Sequence, residues 1–298
     1  MPNNDNSPQR LWLNGEMLAQ SQAQIPVMTH SLHYGGAVFE GMRAYGGHIF
    51  RLEAHIQRLA RSAELLGYTL PYPEAQLCAA CDAVVGDNGL DDVYVRPIAW
   101  RSAHSLSVAP ETMTTHVAIA AWQWPTAWSR GEAERGLRLA LADWRRPDPA
   151  TFPTASKTSG GYTIGTQAKA RAASAGFDDA LMLGYHGDVA ETSSGNLFFV
   201  RDGALVTPTP DCFLDGITRR EVIALAREAG REVSERRVAL DELARFDEVF
   251  TTGSSLEVLP IVEAAGHRYP VGPVTRELMR AYQALVRAPE REPVSVSA

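Results

Sequence analysis

Apolar and polar residues alternate with a period of two at the start of the chain, then switch to helical spacing near Leu52. L-W-L-N-G-E-M-L-A alternates around Asn14-Gly15, a dipeptide suited to the positive φ angles of a two-residue hairpin turn. M-R-A-Y-G-G-H-I-F repeats the arrangement around Gly46-Gly47. From there Leu52, Ile56, Leu59, Ala63 and Leu66 share one helical face, and Gly67 supplies the usual residue past a helix end. A second helix, E-A-Q-L-C-A-A-C-D-A-V-V, places Leu77, Cys81 and Val84 on one stripe, and the strands D-V-Y-V-R-P-I-A-W and T-H-V-A-I-A-A-W follow. Hairpins, two helices and strands make residues 1–122 a small α+β unit.

The pattern breaks at Q-W-P-T-A-W-S-R-G-E, so residues 123–135 are expected to link two domains. A larger domain over 136–288 opens with the strand L-R-L-A-L-A-D-W. It continues with a helix, T-I-G-T-Q-A-K-A-R-A-A-S-A, that ends at Gly176. Two more hairpins turn near His186 to Asp188 and at Asp202-Gly203. Helices over 219–229 and 239–245, a strand E-V-F-T-T-G, a further helix start and a closing helix from Thr275 to Val286 complete it. The tail 289–298 is expected to be disordered.

Composition narrows the class. The chain has 298 residues, 45% hydrophobic and 21% charged, with no apolar run able to span a bilayer and no stretch ordered like a secretory signal. A net charge of −7 argues against non-specific nucleic-acid binding. Three cysteines fit a reducing cytoplasm better than a disulfide scaffold, and a cytoplasmic enzyme is expected. Cys78 and Cys81 spell C-x-x-C, but no second pair exists for zinc and no strand and turn precede it, so buried small hydrophobes are the better reading. His30 and His33 lack a third ligand nearby, and no metal is expected.

Lysine usage points to chemistry. Only two of the 28 basic residues are lysines, Lys157 and Lys169. An arginine cannot give up its proton in a protein, whereas a lysine amine can become a neutral nucleophile. Lys169 sits in a helical run beside Arg171, where a solvated lysine is the ordinary reading. Lys157 lies among small residues in P-T-A-S-K-T-S-G-G-Y and is the candidate Schiff-base lysine. Two helix starts could hold an anion: Thr218 stands three residues before Glu221 in G-I-T-R-R-E, and Ser254 three before Glu257 in F-T-T-G-S-S-L-E. Both have the form of a capping box, and taken singly each more often marks an ordinary cap. A reactive lysine with two phosphate cups suggests pyridoxal 5′-phosphate, whose ring nitrogen also needs an acidic partner. Glu191, leaving a strand into T-S-S-G-N, fits that partner and fits a solvated hairpin carboxylate as well.

Taken in order, S-L-H-Y-G-G-A-V-F-E-G-M-R, H-I-Q-R-L, Y-V-R-P, the lysine segment, L-D-G-I-T-R and F-T-T-G-S-S-L-E-V-L-P-I resemble the branched-chain aminotransferases. These are fold-type-IV, D-amino-acid-transaminase-like enzymes that use pyridoxal 5′-phosphate. The resemblance implies a two-domain α+β fold, with a small α/β N-terminal domain and a larger C-terminal domain built on a β-barrel-like core. It implies transfer of an amino group between leucine, isoleucine or valine and 2-oxoglutarate. Lys157 would bind the cofactor aldehyde and shuttle the substrate proton. Tyr162 would bond the phenolate oxygen and Glu191 the pyridine nitrogen. Arg58, Ile217, Thr218 and Ser254 would hold the phosphate, and Leu214 would pack on the ring. Phe39, Gly41, Tyr94 and Trp124 would line the side-chain pocket together with Tyr162, and Arg96 would take the second carboxylate of glutamate. Backbone groups of Ser255 and Leu256 would receive the α-carboxylate. Tyr34, Leu106 and Val108 match positions that the family supplies from a neighbouring subunit, so a homo-oligomer, dimer or hexamer, is expected.

Three departures bear on substrate choice. Gly160-Gly161-Tyr162 replaces the usual G-N-Y, Leu106-Ser107-Val108 lacks the usual central glycine, and E-T-S-S-G-N-L-F leans towards D-amino-acid transaminases and aminodeoxychorismate lyases. With Arg101 and His104 before the loop, D-amino-acid or (R)-amine transamination, or aminodeoxychorismate cleavage, stands as the alternative activity. A non-catalytic metabolite binder would have no reason to retain Lys157.

Overall fold

A computed structural model describes residues 10–126 and 131–288, so the predicted tail and part of the predicted linker lie outside the described residues. The first sheet contains β1 (Arg10–Leu13), β2 (Glu16–Ala19), β3 (Val38–Phe39), β4 (Met42–Tyr45), β5 (His48–Ile49), β6 (Val93–Ser102) and β7 (Thr114–Gln123). Its order is β2-β1-β7-β6-β4-β5, with β3 also on β6. The turn between β1 and β2 holds Asn14 at φ 51° and Gly15 at φ 102°, the two positive angles that this dipeptide tolerates. After α1 (His30–Tyr34), the helices α2 (Leu52–Leu65) and α3 (Glu74–Asp87) cover one face of the sheet. Ile56, Leu59, Leu77, Cys81 and Val84 meet Val93, Val95 and Ile119 there, all fully buried. Cys81 is a core hydrophobe, and Cys78 packs at the edge of that cluster.

The second sheet contains β8 (Leu137–Arg145), β9 (Asp179–Leu183), β10 (Val189–Thr192), β11 (Asn196–Arg201), β12 (Ala204–Thr207), β13 (Val233–Glu235), β14 (Glu248–Gly253), β15 (Glu257–Ala264) and β16 (His267–Arg268). The run β10-β9-β8-β15-β14-β11 returns to β10, so six strands close into a barrel. Every strand of that ring contributes to one buried cluster, through Leu139, Leu181, Val189, Phe199, Val249 and Ile261. Closure leaves these six strands no free edge. On the outer face Phe198 stacks on Phe250 at 4.9 Å, beneath the later helices. The helices that follow the first sheet are α4 (Glu132–Arg135), α5 (Tyr162–Ser174), α6 (Ile217–Glu228) and α7 (Pro273–Val286). No helix among the described residues is long and apolar enough to cross a membrane.

Three local expectations fail. Ser254 opens no helix: residues 254–256 are the turn of the β14–β15 hairpin, and Glu257 begins β15 at φ 57°. Val258, Leu259 and Ile261 favour a strand, and Pro260 would remove a helical hydrogen bond but is tolerated opposite Phe250. Thr218 is no cap either, because Gly216 occupies that position and α6 has already begun at Ile217. Glu221 turns away to grip Arg51 at 2.8 and 3.0 Å. The helix expected over 239–245 is a short 3₁₀ segment, Leu240–Arg245.

Candidate active site

A cavity of about 520 Å³ lies between the two sheets, with Lys157 in its wall. The lysine is held by the other sheet's elements. Its N–H donates to Ser62 Oγ on α2 at 3.0 Å, its C=O accepts the Phe39 N–H at 3.1 Å, and Ser156 Oγ donates to Ser62 O at 2.8 Å. Gly160 N–H donates to Gly35 O, and a Cβ on Gly35 would come within 3.0 Å of Gly160. The small residues around Lys157 thus allow two backbones to meet. Lys157 Nζ donates to the Tyr162 hydroxyl at 2.5 Å. Tyr162 begins α5, which fixes the phenol one turn from the lysine.

The cavity has three chemically distinct ends. At the first, α6 starts at Ile217 and Thr218 with their N–H groups unclaimed by the helix, beside Arg58, Leu214, Ser254 and Ser255. Asn196 fastens this end by donating to Leu214 O at 2.9 Å and accepting the Gly216 N–H at 3.1 Å. Thr252 Oγ1 is buried there with no hydrogen-bond partner, although Thr252 lines the cavity. At the second end stand Glu191, Arg146 and Lys169. The third is aromatic: Phe39, Tyr94 and Trp124 line it with Gly41 and Arg96. A Cβ on Gly41 would overlap the Tyr94 hydroxyl, so glycine is what lets that ring lie in the wall. The Arg96 guanidinium lies 4.7 Å from the Phe39 ring centroid and 5.2 Å from that of Tyr94, and donates to the Tyr94 hydroxyl at 3.1 Å. Among the described residues no carboxylate pairs with it, which leaves a positive charge in an aromatic cage.

Burial sets the electrostatics. Glu191 has its carboxyl pushed up by burial, only partly offset by the nearby Arg146 and Lys157 charges. Arg58 is not a free cation, because its Nε and Nη2 donate to Glu40 at 2.7 and 2.8 Å. His55 Nδ1 lies 2.7 Å from the same carboxylate, and burial keeps its imidazole below the usual histidine range. Burial alone would raise Glu40, yet Arg58 and His55 together hold it well below the usual carboxylate range. Sequence reasoning assigned Glu40 and His55 no role. His55 and Arg58 stand three residues apart on one helical face, a spacing that could have drawn attention to them. Arg146 was also missed; it follows the last residue of β8, just before Pro147, and pairs with Glu191 at 2.8 Å. Lys169, expected to be a solvated cation, is half-exposed, bonded to Asp179 at 3.2 Å, and part of the cavity wall.

The donor set suits a phosphorylated pyridine aldehyde. The lining combines an amine beside a phenol, a buried carboxylate and helix-start N–H groups, which would suit an aldehyde, a ring nitrogen and a phosphate respectively. The buried Thr252 hydroxyl, which has no hydrogen-bond partner and belongs to a cavity-lining residue, is one more polar group that such a guest could satisfy. Four expected residues lie elsewhere. The Leu256 N–H is spent on Gly253 O at 3.0 Å and its side chain is in the core, so of the expected pair only Ser255 reaches the cavity. Tyr34, Leu106 and Val108 cluster away from it, the Tyr34 hydroxyl donating to Leu106 O at 2.7 Å, with Tyr34 and Val108 exposed.

Known proteins resemble this chain in sequence and fold. The pattern of the family Amino-transferase class IV matches residues 37–264. A probable branched-chain-amino-acid aminotransferase from Rickettsia bellii is 39% identical over 257 residues, covering 86% of this chain and 87% of its own. A branched-chain-amino-acid aminotransferase from Pseudomonas aeruginosa is 37% identical over 93% of this chain and 92% of its own. The branched-chain amino acid aminotransferase from Thermobaculum terrenum, solved in its PLP-bound holo-form, superposes with a TM-score of 0.87 at 32% identity over 95% of each chain. A family pattern over most of the chain and a shared fold at this identity place the protein among the class IV aminotransferases.

Proposed function

We propose that this chain moves an amino group between branched-chain L-amino acids and 2-oxoglutarate, using pyridoxal 5′-phosphate. The observation that carries this reading is the Lys157–Tyr162 contact, set between a carboxylate, a helix start and an aromatic wall that contains Arg96. The cofactor, when bound, supplies an electron sink for the charge left on the substrate Cα. The chain supplies the rest. Lys157 would hold the cofactor at its aldehyde and, once displaced by the incoming amine, its free Nζ would carry the Cα proton, with Tyr162 holding the amine in place. Glu191 keeps the ring nitrogen protonated. Arg58, Ile217, Thr218 and Ser254 hold the phosphate, and Leu214 backs the ring. The wall of Phe39, Gly41, Tyr94 and Trp124 takes an apolar side chain, and Arg96 takes the distal carboxylate of glutamate. Ser255 receives the α-carboxylate.

A second copy would bring Tyr34, Leu106 and Val108 over the open side, so the working form is a homo-oligomer. Residues 1–122 and 136–288 act as two domains joined by 123–135. Cys78, Cys81 and Cys212 are all free, which suits a reducing cytoplasm. The relatives favour branched-chain substrates over D-amino-acid, (R)-amine or aminodeoxychorismate chemistry.

The test is to mix the protein with leucine and 2-oxoglutarate and assay glutamate, expecting turnover in the wild type and none in Lys157→Ala. D-alanine or (R)-1-phenylethylamine outpacing leucine would overturn the substrate class, and full activity in Lys157→Ala would overturn the mechanism.

A further inference from the structure

Both lysines of the chain line the same cavity, and the second has no part in the chemistry above. Lys169 meets Asp179, whose side chain is buried at 2% exposure, and Asp179 Oδ1 also accepts the Ala180 N–H at 2.7 Å. Beside this pair lies another. Arg146 Nε stands 2.8 Å from Glu191 Oε1, each side chain about one-tenth exposed, and Arg146 Nη2 donates to Ser193 O at 2.9 Å. Helix α5 brings the two pairs together: a Cβ on Gly165, one turn before Lys169, would overlap Ser193 O. Two cations and Glu191 therefore line the cavity, with the buried Asp179 bonded to Lys169.

We propose that Arg146, together with the Lys169–Asp179 pair, is the positioning group that holds Glu191 as an oriented, ionised acceptor at the ring end of the cavity. The proposal rests on Glu191 being the acid that meets the ring nitrogen. Coulomb's law gives the logic. Removing either cation leaves excess negative charge beside Glu191 and raises its proton affinity, whereas removing Asp179 lowers it. Arg146 touches the carboxylate and should matter more than Lys169, which is half-exposed and screened by solvent. The other groups facing Glu191 are Lys157, which opposes its protonation, and Cys212, whose thiol burial pushes up to about 12 and so keeps neutral. Asp188 and Asp211, further along, lie against Arg237 at 3.8 and 3.1 Å.

The experiment titrates the Glu191 carboxyl in the cofactor-free protein by carbon-13 NMR, the signal being identified by its loss in Glu191→Gln. Arg146→Met should raise the midpoint by about one pH unit, a tenfold change in proton affinity, and Arg146→Lys should recover part of it. Lys169→Met should raise it less, Asp179→Asn should lower it, and the double variant should return close to wild type. In the holoenzyme Arg146→Met should lower kcat for leucine about tenfold, with KM nearly unchanged, if the charge on Glu191 governs the ring. A Glu191 midpoint unmoved by Arg146→Met, or Lys169→Met and Asp179→Asn shifting it in the same direction, would overturn the proposal. Should Arg146→Met not fold, the opposite signs of the other two variants decide it. The NMR titration does not depend on turnover. Predicted shifts with unaltered kcat would sink the reading of Glu191 as the ring acid and, with it, the role assigned to Arg146.

Discussion

Glu191 lines the cavity, and Glu40 is held by Arg58 of the cavity wall; both are buried and each meets an arginine, yet their carboxyls are driven in opposite directions. Burial is the largest influence on both, and it favours the neutral acid. At Glu40 it loses. Arg58 grips both oxygens in the fork geometry of a guanidinium, and His55 adds a third bond. At Glu191 it wins, because one Arg146 contact at 2.8 Å does not replace the lost water. The number of donors decides which buried carboxylate is a fixed anion and which remains responsive to its surroundings. The fixed one holds Arg58 at the phosphate end, and the responsive one faces the ring nitrogen in the proposed reaction.

The largest expected effect separates the two pairs by stability. Glu40→Ala leaves Arg58 buried without its partner and should cost about 3–5 kcal/mol in urea denaturation. Glu191→Ala should cost less, about 1–3 kcal/mol, because Arg146 keeps its bond to Ser193 O. A loss at Glu191 equal to that at Glu40 would break the contrast.

The pH dependence sharpens it next. The carboxyl of Glu40 lies below its unfolded value, so its stabilisation is complete above the usual carboxylate range and is lost as pH falls through and below that range. His55 is also pushed down, so below about pH 6.5 only the unfolded chain takes up that proton, and stability falls further. Glu191 works the other way: its raised value makes the folded cofactor-free protein hold a proton longer, so its share of stability falls as pH rises from the usual carboxylate range towards that value. Chemical denaturation from about pH 4.5 to 6.5 should therefore show stability rising more steeply in Glu191→Gln and less steeply in His55→Asn than in wild type. A flatter curve for Glu191→Gln would contradict the assigned direction.

The smallest effect lies one turn along the same helix. Arg61 pairs with Glu64 at 3.2 Å, both exposed. Glu64→Ala should change stability by no more than about 0.5 kcal/mol by the same urea assay. A larger loss would mean that ion pairing, rather than burial, governs the cost at Glu40.

Much of the fold was legible because its signals are local. Asn14-Gly15 and Asp202-Gly203 turn where their dipeptides tolerate positive φ, and the apolar stripe of α2 packs as its spacing requires. Two readings of the same local kind failed at Thr218 and Ser254, where the spacing of a capping box occurs by chance. Gly216 takes the cap at one, and pairing with β14 claims the other as a hairpin turn. A cap motif is a few residues long and carries no information about the strand waiting to pair with it.

The sequence by itself singled out Lys157 as the candidate reactive amine, because scarcity and small neighbours can be read without coordinates. The same scarcity also marked Lys169, but its neighbours suggested solvent, and only the packing of α5 against the Glu191 loop brought it to the cavity wall. Tertiary structure alone decided which way each buried carboxyl is shifted. Arg58 and Glu40 are 18 residues apart, and Arg146, just past β8, meets Glu191 of β10, 45 residues further on. Whether a carboxylate is ionised depends on how much water it loses and how many donors replace it, and both are set by three-dimensional packing.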